Sequence, residues 1–414
     1  MADLRPFRAL RYDREHVGDL ARVVAPPYDV ISGEQQRRLC ARSPFNVVRL
    51  ILNPEADPHA AAAREFRRWR DGGILVQDHE PAFYFYAQTF TAGPGGTQRR
   101  DGIIGVMRLE DFGSGRVRPH ERTFEGPKAD RLLLTRACRA NLSPIFGLVS
   151  CPGLVLRDLM APALRTPADV DITDDDGVRH QLWRIADAAA GARWTEVTRE
   201  APVVIADGHH RYETALAFRN EMRKAAPAAG RDAPFEFVLA CISNTEEPGV
   251  LVLPTHRVLP AARPQDVEEI LRTLGESFTV TSYRVSERAP FLAALDGGAA
   301  RIGCVLPHAL IVLALRVDPA QVLGARRPEV RGQAVVLLHD LILRHLPAGP
   351  VEFTHDDVEA LDAVASGRAG AAFLVRAPTA KELRAVCLAG ETLPEKSTYF
   401  YPKLLTGLVF HALG

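Results

Sequence analysis

No apolar run along the 414 residues approaches the length of a membrane span. The N-terminus, MADLRPFRALRYD, lacks the apolar core of a signal peptide. Net charge is lacking too. Lys and Arg number 51 and so do Asp and Glu, so no global field draws the chain to nucleic acid or to a lipid surface. The six cysteines, Cys40, Cys138, Cys151, Cys241, Cys304 and Cys387, are scattered. No two stand at metal-ligand spacing and no C-x-x-C occurs, which argues against a zinc ribbon or a thioredoxin-type site. Most lie in apolar surroundings such as Ile302-Gly303-Cys304-Val305-Leu306, the pattern of buried thiols in a reducing compartment. A cytoplasmic location is expected. There is no fixed-period repeat, no long low-complexity linker and no G-x-x-x-x-G-K phosphate loop.

What remains is an ordinary globular composition, 47% hydrophobic and 25% charged, in a chain long enough for two or three domains. Helical and strand patterns are mixed along it, so the expected class is α/β with mixed sheets. Pro26-Pro27 fixes an extended loop, after which Ser32 caps a helix over Gly33 to Arg42. A second helix spans about Pro58 to Gly72, with Ala62, Phe66 and Trp69 on one face. Its arginines, Arg64, Arg67, Arg68 and Arg70, read as the solvated face. PAFYFYAQTF, the turn TAGPGGTQ and RDGIIGVMRLEDF read as a hairpin. Asp174-Asp175-Asp176-Gly177 lacks the spacing of a calcium loop and reads as a solvated turn. FEFVLACISN and VLVLPTHRVL read as strands, ARIGCVLPHALIVLALRV as a hairpin, and VRGQAVVLLHDLILRHL as one helix. A division into residues 1–260 and 261–414 is expected, the second part contributing Lys396 to Lys403.

Chemistry concentrates in Val203 to Asn220. Val203 to Ala206 reads as a buried strand, Asp207-Gly208-His209-His210-Arg211 as a turn, and Tyr212 to Asn220 as a helix. First-turn N–H groups and the positive end of the helix dipole attract anions, and Arg211 with two histidines strengthens that site. Gly208 allows close backbone approach. Asp207 does not favour an anion, so it is expected to orient a His, a hydroxyl or a metal-bound water. A second group is Arg118 to Arg131, where Lys128 and Arg131 share a helical face and His120 or Glu121 suits a general base. A third is Lys396-Ser397-Thr398 with Lys403, hydroxyls between lysines that suit an anionic ligand. A fourth is Asp29 beside Tyr28 on the diproline loop. His256 and His355 read as structural or surface histidines.

Taken together, RPFRALRYD, APPYDVIS, HERTFEGPKADRLLL, ADGHHRYETALAF and PEKSTYFYPK resemble a widespread bacterial family known as a conserved domain of unknown function. The resemblance covers nearly the whole chain. ADGHHR also resembles the phosphate-binding motif of the ParB/sulfiredoxin superfamily, with G-x-x-R at Gly208, His209, His210 and Arg211. Sulfiredoxins carry a cysteine where His209 stands, and ParB proteins carry Glu-Arg in place of His209-His210. The Asp-Gly-His-His-Arg form belongs to the free serine kinases, and all five residues are here.

That resemblance implies a ParB/sulfiredoxin-like nucleotide-binding core, elaborated by further strands and a C-terminal α/β region. It implies ATP or ADP with Mg²⁺ as cofactors, an adenine nucleotide and a small hydroxylated metabolite such as serine as partners, and phosphoryl transfer as the reaction. The early catalytic glutamate of that family has no clear match, and Asp29 or Glu121 stands in for it. Lys128, Arg131 or Lys403 would neutralise developing charge. A nucleotide-dependent sensor is the alternative. A nuclease or phosphatase is a third reading; the neutral charge counts against nucleic acid, and neither nucleic acid nor a membrane is an expected partner.

Overall fold

The computed structural model describes residues 3–92, 96–123, 125–198, 201–298 and 300–414. The chain is mixed α/β and forms two compact units. The first comprises Met1–Pro119, Thr123–Val250 and Pro402–Gly414, the second His120–Arg122 and Leu251–Tyr401. Among the described residues, no helix is long and apolar enough to cross a membrane.

The first unit is built on a nine-stranded sheet. Its order is Val117–Arg118, Val203–Asp207, Ile145–Val149, Phe237–Asn244, Thr97–Arg108, Phe83–Thr91, Arg179–Ile185 and Val170–Thr173, with Leu4–Arg5 also paired to Thr97–Arg108. Val203–Asp207 runs parallel to Val117–Arg118, and Phe237–Asn244 parallel to Ile145–Val149; the other pairs are antiparallel. Aromatic and β-branched residues drive the central hairpin, whose register runs from Tyr84↔Ile104 to Thr91↔Thr97. Part of its TAGPGGTQ turn lies outside the described residues. One core gathers Phe83, Phe85, Ile103, Met107, Ile145, Trp183, Ile205 and Tyr212. Burying each such side chain contributes on the order of 1.5–3 kcal/mol.

The helix Pro58–Asp71 begins where Asp57 accepts a hydrogen bond from the Ala60 N–H and Pro58 occupies the first turn. It buries Phe66 and Trp69, and Arg64, Arg67, Arg68 and Arg70 face solvent. Phe410, from the far end of the chain, meets Phe66 and Tyr12 edge-on at centroid distances of 6.4 and 5.8 Å.

The second unit holds a six-stranded antiparallel sheet, ordered Phe278–Tyr283, Ala309–Leu315, Arg301–Leu306, Ala371–Val375, His256–Leu259 and Glu352–Thr354. Phe291, Leu310, Val312, Leu361, Val364 and Leu374 form its core.

Two expected elements come out differently. VRGQAVVLLHDLILRHL breaks into Pro328–Arg331, Ala334–Leu341 and a 3-10 turn at Leu343–His345, with Gly332 and Gln333 interrupting the run. VLVLPTHRVL divides at Pro254, which has no N–H to continue a ladder. Leu251–Leu253 pairs with Tyr399–Tyr401, whereas His256–Leu259 joins the six-stranded sheet.

Candidate functional site

The strand Val203–Asp207 ends in a register shift against Ile145–Val149, with Ile205 opposite Gly147 and Asp207 opposite Phe146. A bulge of this kind re-aims the side chains beside it. Gly208 follows with φ 90° and ψ 30°, a left-handed conformation that L residues rarely adopt. A Cβ there would also stand 3.0 Å from the Arg211 guanidinium. The helix begins at once and runs His209–Ala225, so His209, His210 and Arg211 form its first turn rather than a loop ahead of Tyr212. They precede the first main-chain bond of that helix, from the Tyr212 N–H to the Gly208 carbonyl at 2.9 Å. His209 is buried and His210 half-buried.

Asp207 is the electrostatic centre of this turn. Its Oδ2 accepts from Arg211 at 2.5 Å and its Oδ1 from Lys403 Nζ at 2.7 Å. Arg211 donates as well to the Pro144 carbonyl. Asp207 also acts electrostatically on Arg100, whose buried guanidinium has its pKa pushed down to about 10 by burial. Arg100 donates to Gln88 and to the Pro402 carbonyl and stacks 4.6 Å above the Phe146 ring. Gln88 in turn donates to the Lys403 carbonyl at 2.9 Å. Tyr86, two residues earlier on the same strand, hydrogen-bonds the buried His180 Nδ1 at 2.6 Å, and His180 Nε2 meets Asp174 at 2.9 Å. Sequence reading passed over Arg100, Gln88 and Tyr86, because nothing local sets them apart from other strand residues.

A cavity of ≈ 50 Å³ lies beside the turn, lined among others by Tyr28, Arg131, Asn141, Ser143, Arg211 and Thr214. Arg131 stacks 4.2 Å from the Tyr28 ring centre, bonds Asp130 at 2.7 Å and donates to the Ile51 carbonyl at 2.8 Å. Burial pushes the Tyr28 hydroxyl up to about 12, with Asp29 adding to the rise and Arg211 and Arg131 opposing it. Asp29 itself is exposed, on the 3-10 turn Tyr28–Val30.

Lys128 does not line this cavity. Its ammonium lies between Glu125 at 2.6 Å and Glu213 at 3.1 Å. Thus Asp207, Gly208, His209, His210, Arg211 and Lys403 meet at one turn, Arg131 shares a cavity with Arg211, and Asp29 adjoins that cavity through Tyr28.

The remaining candidates gather in the second unit. Glu121 forms a bridge with Leu393, and its Oε2 accepts from the Ser397 N–H at 3.3 Å. His120 is fully buried and hydrogen-bonds Thr398 Oγ1 at 2.8 Å. Ser397 donates to the Pro394 carbonyl at 2.5 Å, and Lys396 has φ 53°. Buried Arg257 donates to the Glu395 and Lys396 carbonyls at 3.2 and 3.3 Å, tying this loop to the six-stranded sheet. His256 is buried with Nε2 at 2.7 Å from Asp357, while its Nδ1 accepts from the Val375 N–H at 3.3 Å, a structural arrangement. His355 stacks on Tyr399 at 4.4 Å. Among the described residues, no group of three or more His, Cys, Asp or Glu is arranged to hold a metal ion.

These features define a mixed α/β protein with a cation-bearing strand–glycine–helix turn. Residues 4–332 match the family described as "Protein of unknown function (DUF1015)", and the chain belongs to that family. No curated protein matches the sequence. Among solved structures it is similar to a free serine kinase in complex with AMP, at 13% identity over 72% of this chain and 87% of that one, with a TM-score of 0.38. It is similar to a conserved hypothetical protein from Pyrococcus furiosus, at 13% identity over 73% and 93%, TM-score 0.37. It is also similar to a C-terminally truncated SbnI from Staphylococcus aureus, at 12% identity over 74% and 86%, TM-score 0.38.

Proposed function

We propose that the Asp207–Arg211 turn binds the phosphates of an adenine nucleotide, and that the protein transfers a phosphoryl group to a small hydroxylated metabolite such as free L-serine. One observation carries the reading. Arg100, Arg211 and Lys403 act on the single carboxylate of Asp207, where the helix His209–Ala225 adds the positive end of its dipole. Positive charge held at a helix start suits a phosphate, which takes charge-assisted hydrogen bonds from guanidinium, ammonium and main-chain N–H groups. The ≈ 50 Å³ cavity beside Arg211 and Arg131 is the size of one small group, not of a nucleoside. It suits the end of a ligand whose bulk lies outside.

In this reading Gly208, His209, His210 and Arg211 cradle phosphate, and Lys403 and Arg131 neutralise charge that develops during transfer. Asp207 positions Arg211 and Lys403. A base must reach the acceptor hydroxyl, and Asp29, next to Tyr28 at the cavity, is the first candidate. Glu121 with Lys396, Ser397 and Thr398 is the second. Lys128, held between two glutamates, would contribute at longer range. Mg²⁺ would enter with the nucleotide, since such ions are usually held by one or two carboxylates together with substrate phosphates.

Calorimetry with ATP, ADP and AMP, with and without Mg²⁺, tests the phosphate site. Arg211→Ala should weaken binding roughly ten- to hundredfold, with any stability lost along with the Asp207 and Pro144 bonds read separately from the melting curve. Absence of binding to all three nucleotides at millimolar concentration would remove the reading. A screen of hydroxylated metabolites for a phosphorylated product tests turnover. Asp29→Asn, or Glu121→Gln if that carboxylate is the base, should keep nucleotide affinity and abolish product. Tight nucleotide binding with no product from any acceptor would favour a sensor.

A further inference from the structure

We propose that two copies of this chain associate through the strand Phe278–Tyr283, which joins their six-stranded sheets edge to edge. This strand is an outer strand of its sheet. Thr279, Val280, Thr281 and Ser282 are all exposed, Val280 at 46%. The other outer strands of the two large sheets are shorter and each carries a charge: Glu352 in Glu352–Thr354, Arg118 in Val117–Arg118 and Asp171 in Val170–Thr173. Short length and charge are the usual protections of a sheet edge. FTVTSY has neither, nor a proline.

The direction of its main-chain groups fits pairing. Phe278 stands opposite Leu315 and Val280 opposite Leu313, without a register shift. The Arg316 N–H donates to the Ser277 carbonyl at 3.0 Å. In an antiparallel ladder hydrogen-bonded and non-bonded positions alternate. Ser277, Thr279, Thr281 and Tyr283 therefore turn their main-chain groups inward, and Val280 and Ser282 turn theirs outward with the Phe278 carbonyl, the Phe278 N–H being bonded to the Leu274 carbonyl at 3.0 Å. A two-fold axis through Val280 sets Val280 against its own copy, the Ser282 N–H against the Phe278 carbonyl, and Thr279 against Thr281.

Charge favours this antiparallel arrangement. Glu276 lies in the turn just before the strand and Arg284 just after it, so the antiparallel pairing brings the Glu276 end of one copy to the Arg284 end of the other, at both ends by symmetry. Both residues are exposed. Arg284 does pair with Glu287 at 3.0 Å within its own chain, but its side chain is 81% exposed. A pair so wet is worth little and yields readily to a second acceptor.

Sedimentation of the full chain over a wide concentration range tests the proposal. A reversible dimer is expected. Val280→Pro should abolish it with an unchanged melting curve, because the lost N–H points out of the sheet. Glu276→Arg and Arg284→Glu should each weaken the dimer roughly tenfold, by turning two facing pairs repulsive. The double exchange should restore it. A chain that stays monomeric at every concentration overturns the proposal. So does a dimer indifferent to Val280→Pro, or one that the double exchange fails to rescue.

Discussion

His411 shows what a single side chain can impose. It lies against the Phe7 ring at 5.6 Å and hydrogen-bonds the Pro234 carbonyl at 3.1 Å. Burial pulls its pKa from the ordinary 6.5 down to about 4, against the opposing effect of the Pro234 bond. Below pH 6.5 the unfolded chain therefore takes up a proton that the folded chain refuses. The stability concerned is fully present above pH 6.5 and is lost as pH falls toward 4. Between pH 7 and pH 5 the loss is about 2 kcal/mol. Urea midpoints at the two pH values should differ less for His411→Gln than for the native chain. An equal drop in both would place the acid sensitivity elsewhere. Residue reading singled out Asp207 to Arg211, where polar groups are concentrated, and the structure joins Asp207, Arg211 and Lys403 there. It was blind to Arg100 and Gln88, because a strand pattern does not say which member meets a distant carbonyl.

At the level of elements, the direction of the helix His209–Ala225 sets where its first turn points, and two side chains fix that direction. The Tyr212 hydroxyl donates to the Glu110 carbonyl at 2.7 Å and accepts from the Glu110 N–H at 3.0 Å. Buried Arg219 donates to the Leu109 carbonyl at 2.8 Å and to Asp111 at 3.0 Å. Tyr212→Phe leaves two main-chain groups without their partner and should cost about 1–3 kcal/mol. A denaturant titration would show it, and an unchanged midpoint would mean that water replaces the hydroxyl. Elements with strong local signals were legible. Gly33–Arg42, capped by Ser32 on the Gln35 N–H at 3.2 Å, has the expected limits. The hairpin Phe83–Thr91 with Thr97–Arg108 is present as expected, although its strands reach into the expected turn and the second stops at Arg108. The apolar run from Val330 to Leu346 was not legible, because helical periodicity passes smoothly across the break at Gly332.

Over the whole molecule, neither unit is one continuous stretch of chain. Pro402–Gly414 belongs to the first unit although the preceding Leu251–Tyr401 builds the second. Phe410 and Val409 are at most 1% exposed, and Phe410 packs on Tyr12 and Phe66. Phe410→Ala should therefore cost about 3–5 kcal/mol, measured by chemical unfolding, like the loss of any large core aromatic. A cost below 1 kcal/mol would mean that the site collapses onto smaller neighbours. No local pattern joins residue 410 to residue 12, so this closure could not be read from the sequence.

The ion pair of Lys403 with Asp207 spans 196 positions. On a ribosome adding about 5–20 residues per second, Lys403 is made roughly 10–40 s after Asp207. Throughout that interval the nascent turn has its carboxylate and its arginine but lacks its lysine. A message cut short anywhere in between yields a chain without the complete turn, whatever the rest of it has folded into.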